Sequence, residues 1–286
     1  MFIPRKVLEE KLRQMLAEDI GYGDVTSTAV ISAGLEVEAT VVTKEEGIAA
    51  GIEEIAILAE SLGLSIQTEV TDGEEFSKGQ ILMKISGDAR TILSAERTML
   101  NLLSHMSGIA TATRKLIEKL RNVGATAKIA ATRKTSPGLN YFDKKAVLVG
   151  GGDPHRLRLD DMILVKENHL VIAGGVKNAV KKAKQNAPFS KKIEVEVTNG
   201  VDALKAAESG ADLIMLDNFS PKQVKEAIGD LKNAGFLGKV LLEVSGGIGE
   251  QNLLEYASAQ VDIISVGALT HSVRAIDISL EIAHVK

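Results

Sequence analysis

The chain of 286 residues contains no cysteine and no tryptophan, and only five prolines, three tyrosines and six phenylalanines. Lack of cysteine removes disulfides, thiolate metal sites and a cysteine nucleophile, so any metal must bind oxygen or imidazole; it also suits a reducing compartment. So few aromatic rings leave little to stack bases on, and 34 Lys and Arg against 38 Asp and Glu give a net charge of −4. Both features speak against a nucleic-acid partner. No apolar run approaches the roughly 20 residues that cross a bilayer. The N-terminal MFIPRKVLEEKLRQ turns charged and amphipathic where a signal peptide would be apolar. The expectation is a soluble, unexported, cytoplasmic chain with no membrane partner. What is present is ordinary for a globular protein: 45% hydrophobic residues, 25% charged, mean hydropathy +0.09. At roughly 150 residues per domain the length allows about two domains.

The chain has two textures. Val7, Leu8, Leu12, Met15, Leu16 and Ile20 share one helical face over 5–20, and a turn follows at Gly21-Tyr22-Gly23-Asp24. From Leu35 to Val41 apolar residues alternate with Glu36, Glu38 and Thr40, which predicts a strand with one wet face. A helix near 52–62 and strands at 65–70 and 80–86, separated by Asp72-Gly73 and Lys78-Gly79, complete a small domain of helices and half-exposed strands over 1–108. A helix is expected over 90–106, broken at Ser107-Gly108, and another over 109–123. Beyond it short apolar runs recur at 127–131, 162–165, 193–197, 213–216, 240–244 and 263–266, alternating with helical patterns at 175–186, 200–209, 221–234 and 249–258. Strands apolar on both faces and separated by helices predict a parallel α/β barrel over 109–271. The stretch 272–286, with Val273, Ile276, Ile278, Leu280 and Ile282, reads as a C-terminal helix returning to the first domain.

At or just after each run stands a residue with catalytic or anion-binding chemistry: Arg133-Lys134, Lys166, Glu196, Asp217, Ser245-Gly246-Gly247 and Gly267. Their phase matches one strand and one helix per step, so they should converge on the rim that barrels use for catalysis. Seven Lys or Arg against four Asp between Arg133 and Lys166 point to an anionic ligand. Within that stretch Lys144 and Lys145 read as solvated charges. Glu196 and Asp217, hard oxygen donors facing a phosphorylated ligand, suit Mg²⁺; Glu194 faces the same way but lies deeper. Alternatively these acids only neutralise Lys134 or Lys166. The Gly-Gly corner at 246–247 and Gly267 suit a phosphate, each between a strand and a helix. The loop Gly150-Gly151-Gly152-Asp153-Pro154 delivers His155 and Arg156, and lacks the spacing of a dinucleotide-binding glycine motif.

The motifs ATRKTSPGL (131–139), GGGDPHR (150–156) and DMILVKENH (161–169), with Glu96-Arg97-Thr98, IEVEV, VSGGI and VGALTHS, resemble the quinolinate phosphoribosyltransferase family over nearly the whole chain. The resemblance implies an N-terminal α/β sandwich beside an incomplete TIM-like (β/α) barrel, and a homodimer, or a higher oligomer, that shares each active site across an interface. It implies that Arg97 comes from the partner and that Arg133, His155 and Arg156 grip the two carboxylates of quinolinate. Lys134 and Lys166 would meet the sugar diphosphate, Glu196 and Asp217 the ribose or Mg²⁺-diphosphate, and Ser245, Gly246, Gly247, Gly267 and His271 the 5-phosphate. One departure is Asn140, where relatives usually carry Arg, which bears on substrate identity.

The implied reaction transfers the 5-phosphoribosyl group of 5-phosphoribosyl 1-diphosphate to quinolinate with decarboxylation. Three readings stay open at this level: the same transfer to another acceptor, a Schiff-base lyase using Lys166, and a binding protein that never releases diphosphate.

Overall fold

The computed structural model describes residues 3–285. The chain divides into two compact units. One comprises the chain up to Arg114, Lys145–Gly151 and everything from Val273 on; the other comprises Lys115–Lys144 and Gly152–Ser272.

The first unit opens with α1 (Arg5–Ile20), whose buried Leu8, Leu12 and Leu16 repeat every four residues and so form one stripe. Asp24 accepts a hydrogen bond from the Ser27 N–H and starts α2 (Val25–Val30). The strand β1 (Glu36–Thr43) buries every second residue, as its alternation requires. The pair β2 (Gly47–Ile48), the helix α3 (Ile52–Ser61), and β3 (Ser65–Thr68), β4 (Glu75–Phe76) and β5 (Ile81–Asp88) follow. An antiparallel sheet runs C-terminal strand, β1, β5, β3, while β2 pairs with β4.

Two sequence expectations fail in this unit. The C-terminal stretch is a strand, Ile278–Val285, paired antiparallel with β1, and no helix. Ile276, Ile278, Leu280 and Ile282 repeat every second residue, the period of a strand, and β1 offers an edge to receive it. The break at Ser107-Gly108 is also absent: α4 (Ala89–Arg121) runs on through both. A methyl group at Gly108 would stand 2.2 Å from the Arg274 carbonyl oxygen, so this glycine serves close packing inside a helix. Ser107 is fully buried and hydrogen-bonds the backbone of Ala50.

The second unit is built on a six-stranded parallel sheet: β6 (Lys128–Ala130), β7 (Ile163–Val165), β8 (Ile193–Val197), β9 (Leu213–Asp217), β10 (Leu241–Ser245) and β11 (Ile263–Ser265). Its order, β6-β11-β10-β9-β8-β7, is the chain order wrapped into a ring and left unclosed between β6 and β7 among the described residues. This is the incomplete TIM-like barrel of the sequence reading. The helices Val176–Asn186, Gly200–Glu208 and Pro221–Asn233 return the chain between strands, and the last begins with a Ser220/Gln223 capping box. Val195, Ile214, Leu216, Val244 and Ile264 are fully buried in this unit. Beside β6, the segment after the glycine loop is held in parallel pairing by Asp153 N–H to the Ile129 carbonyl (2.8 Å) and Ala131 N–H to the Asp153 carbonyl (3.0 Å).

Periodicity gave no element at Asn140–Val149, which is a helix shared between the two units in sequence. Lys144 and Lys145 within it are not solvated. Lys144 has no exposed surface, and the Lys145 ammonium lies 2.6 Å from Glu53, 2.8 Å from Glu54 and 3.2 Å from Asp72 in the first unit. These acids outweigh the burial that opposes its charge.

Candidate active site

In a parallel sheet every strand presents its C-terminal end on the same side. Lys134 therefore follows β6, Lys166 follows β7, Glu196 sits near the end of β8, Asp217 ends β9, Ser245 ends β10, and Gly267 follows β11. The structure brings these groups together. The Lys166 ammonium lies 3.8 Å from the Glu196 carboxylate. Burial raises the Glu196 carboxyl above its ordinary range, Lys166 opposes the rise, and Asp217 adds to it. Burial raises Asp217 as well, against Lys134 and a 2.6 Å hydrogen bond from the Asn218 amide. Two half-buried oxygen donors on neighbouring strands fit a hard divalent cation, which would relieve the burial of both.

The phosphate corner is built by backbone. Gly246 has φ +102°, and a methyl group there would stand 2.2 Å from the Asn218 side-chain oxygen. The Asn218 N–H in turn donates to the Ser245 carbonyl at 2.8 Å. The corner after β10 is thus clamped to the corner after β9. The His271 ring lies over Gly267, where an added methyl group would meet it at 3.0 Å.

Next to these groups stand Arg133, Arg156 and Lys144, and Arg133 opposes the charge of the other two. Burial and then Arg133 hold the half-buried Arg156 guanidinium below its usual value. Lys144, whose ammonium donates to the carbonyls of Ala131 (3.3 Å) and Pro154, is pushed down to about 8 by burial, with Arg133 and Arg156 contributing. Asp153 near Lys144, and Glu194, Asp161 and Glu196 near Arg156, offset part of this repulsion, and a multiply charged anion would offset more of it. A cavity of about 500 Å³ is lined by Arg133, Thr135, Asn140, Leu157, Arg158 and Asp160. Asn140 donates to the Leu157 carbonyl at 2.9 Å and so joins the two loops that bound this cavity. A larger cavity of about 860 Å³ lies at the opposite, N-terminal ends of the strands, by Lys128, Lys192, Leu241 and Ile263. Acids balance its lysines, Asp153 and Asp262, and no set of like charges gathers there, so the rim is the chemical site.

For His155, expected at a substrate carboxylate, the structure gives both ring nitrogens a partner within the protein. Its Nδ1 accepts the Arg156 N–H at 2.7 Å, and its Nε2 lies 3.1 Å from Glu243 and 3.4 Å from Glu194. Burial opposes a charge on the ring, but the two carboxylates outweigh it and push the ring up to about 9. The Nδ1 contact favours a neutral ring, and burial raises Glu194 at the same time, so His155 and Glu194 are best described as sharing one proton. The Arg156 guanidinium lies close enough to Glu194 for each to act on the other's charge.

Arg97 belongs to the first unit, where it lies on α4, exposed, with the adjacent Glu96 carboxylate 4.0 Å away. The sequence pattern does not mark Glu243 as a site residue, and it marks Lys144 only as a solvated charge. A lone acid inside the apolar run LLEVS was the available signal for Glu243.

A parallel barrel whose strand ends gather crowded cations, two rim carboxylates and a glycine corner defines an enzyme acting on a phosphorylated, multiply anionic substrate. Comparison with known proteins makes the class specific. The model of the quinolinate phosphoribosyl transferase N-terminal domain matches residues 24–107, and that of its C-terminal domain residues 109–281. The chain belongs to the quinolinate phosphoribosyl transferase family. A relative from Methanothermobacter thermautotrophicus, named a probable carboxylating nicotinate-nucleotide pyrophosphorylase, is 44% identical over 96% of this chain and 99% of its own. The carboxylating nicotinate-nucleotide pyrophosphorylase of Mycobacterium leprae is 41% identical over 96% of each chain. Among solved structures, the nicotinate-nucleotide pyrophosphorylase of Francisella tularensis superposes with a TM-score of 0.87 at 38% identity, covering 98% of this chain and 97% of its own. That of Ehrlichia chaffeensis gives 0.88 at 32%, covering 99% of this chain and all of its own.

Proposed function

We propose that this chain transfers the 5-phosphoribosyl group of 5-phosphoribosyl 1-diphosphate to the ring nitrogen of quinolinate, releasing diphosphate and carbon dioxide and yielding nicotinate mononucleotide. The observation that carries the reading is the crowding of Arg133, Arg156 and Lys144 at one end of the barrel, where burial and the neighbouring Arg133 disfavour the charges of Arg156 and Lys144. A dicarboxylate restores what that crowding costs, and a monoacid restores less of it.

The roles follow from charge. Arg133 and Arg156 hold the two carboxylates and orient the ring nitrogen toward C1 of the sugar. As the C1–oxygen bond breaks, positive charge grows on the ribosyl ring and negative charge on the departing diphosphate. Glu196 and Asp217 face the first, and Lys134 and Lys166 face the second, from positions fixed before the reaction. Ser245, Gly246, Gly247, Gly267 and His271 surround the 5-phosphate. Glu196 and Asp217 would also hold Mg²⁺, which when bound neutralises charge on the diphosphate. No protein nucleophile is needed, because the pyridine nitrogen itself attacks. Ribosylation makes that nitrogen cationic; the electron pair of the breaking C2–carboxylate bond is then stabilised beside it, carbon dioxide leaves, and C2 takes a proton.

The enzyme acts as a homodimer in this reading, with Arg97 completing the partner's site, and it works in the cytoplasm. Quinolinate labelled at the 2-carboxylate tests the reaction. Carbon dioxide and diphosphate should appear in equal amounts and only when the sugar diphosphate is present; diphosphate without carbon dioxide would overturn the assignment.

A further inference from the structure

The geometry points to Glu243 as a positioning residue: from inside β10, with Glu194 on β8 opposite, it fixes the His155 imidazole and thereby sets where Arg156 meets the pyridine substrate. The inference rests on the proposed function for the identity of that substrate.

Glu243 is fully buried and has both oxygens engaged. The Ser265 hydroxyl donates to its Oε1 at 2.6 Å, and the His155 Nε2 lies 3.1 Å from its Oε2. Glu194, also fully buried, brings a second carboxylate within 3.4 Å of the same nitrogen and has no hydrogen bond to either oxygen. Two strands therefore reach one ring, β8 through Glu194 and β10 through Glu243, and β11 braces Glu243 through Ser265. Two carboxylates inside a barrel are a costly filling where apolar side chains would serve, unless cations sit against them. Here the groups set against them are His155, which offers its Nε2 to both, and Arg156, consecutive in the chain.

The backbone makes the coupling tight. His155 has φ +53°, a left-handed conformation that a residue with a Cβ holds only when its surroundings enforce it. Its N–H is taken by the Asp153 carboxylate at 2.8 Å, and Asp153 is itself paired to β6. The ring then turns back, and its Nδ1 receives the Arg156 N–H at 2.7 Å. A displaced ring therefore displaces the start of Arg156 directly. One atom from each of His155, Glu194 and Glu243 lies within 4.8 Å of the others, a spacing that could also hold a metal. The imidazole hydrogen-bonds Glu243 and lies 3.4 Å from Glu194, whose charge Arg156 also acts on, so the acids already face positive groups without one.

The test uses the intact enzyme and titration calorimetry with each substrate. Glu243→Gln keeps the shape and removes the charge, and should weaken quinolinate binding by at least about tenfold while leaving the affinity for 5-phosphoribosyl 1-diphosphate within about twofold. Ser265→Ala keeps every charge and guards against a variant that folds poorly; it should shift quinolinate alone, by about threefold to fivefold. Equal loss for both substrates, or no loss for quinolinate, would overturn the positioning role. So would a stoichiometric transition metal found in the wild-type enzyme and lost in Glu243→Gln. Failure of the wild type to bind quinolinate at all would instead sink the functional reading on which this one stands.

Discussion

Lys144 shows what single residues conceal. In NYFDKKAVLV two adjacent lysines after an aspartate read as surface, because burial of a charge depends on partners that the local pattern does not contain. Those partners are the carbonyls of Ala131 and Pro154 for Lys144, and Glu53, Glu54 and Asp72 for Lys145. Arg133, Lys134, Lys166, Glu196 and Asp217 were legible for the opposite reason: each closes an apolar run, so strand direction alone fixes its destination. His155 was legible as a loop residue near the rim, but its inward turn depends on Glu194 and Glu243, far away in sequence. Because Lys144 ties the segment before Arg133 to the segment before Arg156, Lys144→Met should act on function more than on stability. The buried charge disappears along with its cost, so unfolding free energy should stay within about 1 kcal/mol of wild type. The kcat/KM for quinolinate should fall about 100-fold as the two loops separate, roughly 2.7 kcal/mol of transition-state binding. Denaturant melts beside steady-state kinetics give both numbers; a stable and fully active variant would remove Lys144 from the account.

Among elements, the parallel strands were the most readable, since five-residue runs such as IEVEV, LIMLD and LLEVS carry their own boundaries. Elements defined by a distant neighbour were read wrongly. The C-terminal strand needs the edge of β1, and the continuity of α4 through Gly108 needs the Arg274 backbone to lie against it. Local rules mark glycine as a helix breaker, worth about 1 kcal/mol against alanine. Gly108→Ala separates the two explanations. If the glycine were a tolerated defect, alanine would stabilise the protein; with the Arg274 carbonyl 2.2 Å from the new methyl group, the substitution should destabilise it by about 1–3 kcal/mol. Urea denaturation decides by the sign.

For the molecule as a whole, a net charge of −4 hides a concentrated positive site, because the excess of acid is spread over surfaces elsewhere while basic residues gather between 133 and 166. The proposed sharing of Arg97 between subunits belongs to this scale. Arg97→Ala and Asp217→Asn should each be inactive alone. Co-expressed, they should recover about a quarter of wild-type activity, because mixed dimers keep one complete site only when Arg97 serves the other chain. No recovery would place Arg97 in its own chain's site. The claim on which everything else depends is that Arg133 and its neighbouring cations are matched to a dianion. It is tested most directly by kcat/KM for quinolinate and for nicotinate, measured in wild type and in Arg133→Ala. The wild type should prefer quinolinate by at least about 100-fold, and the variant should lose most of that preference through quinolinate alone. A wild type that favours nicotinate, or a variant that keeps the preference, would contradict the account.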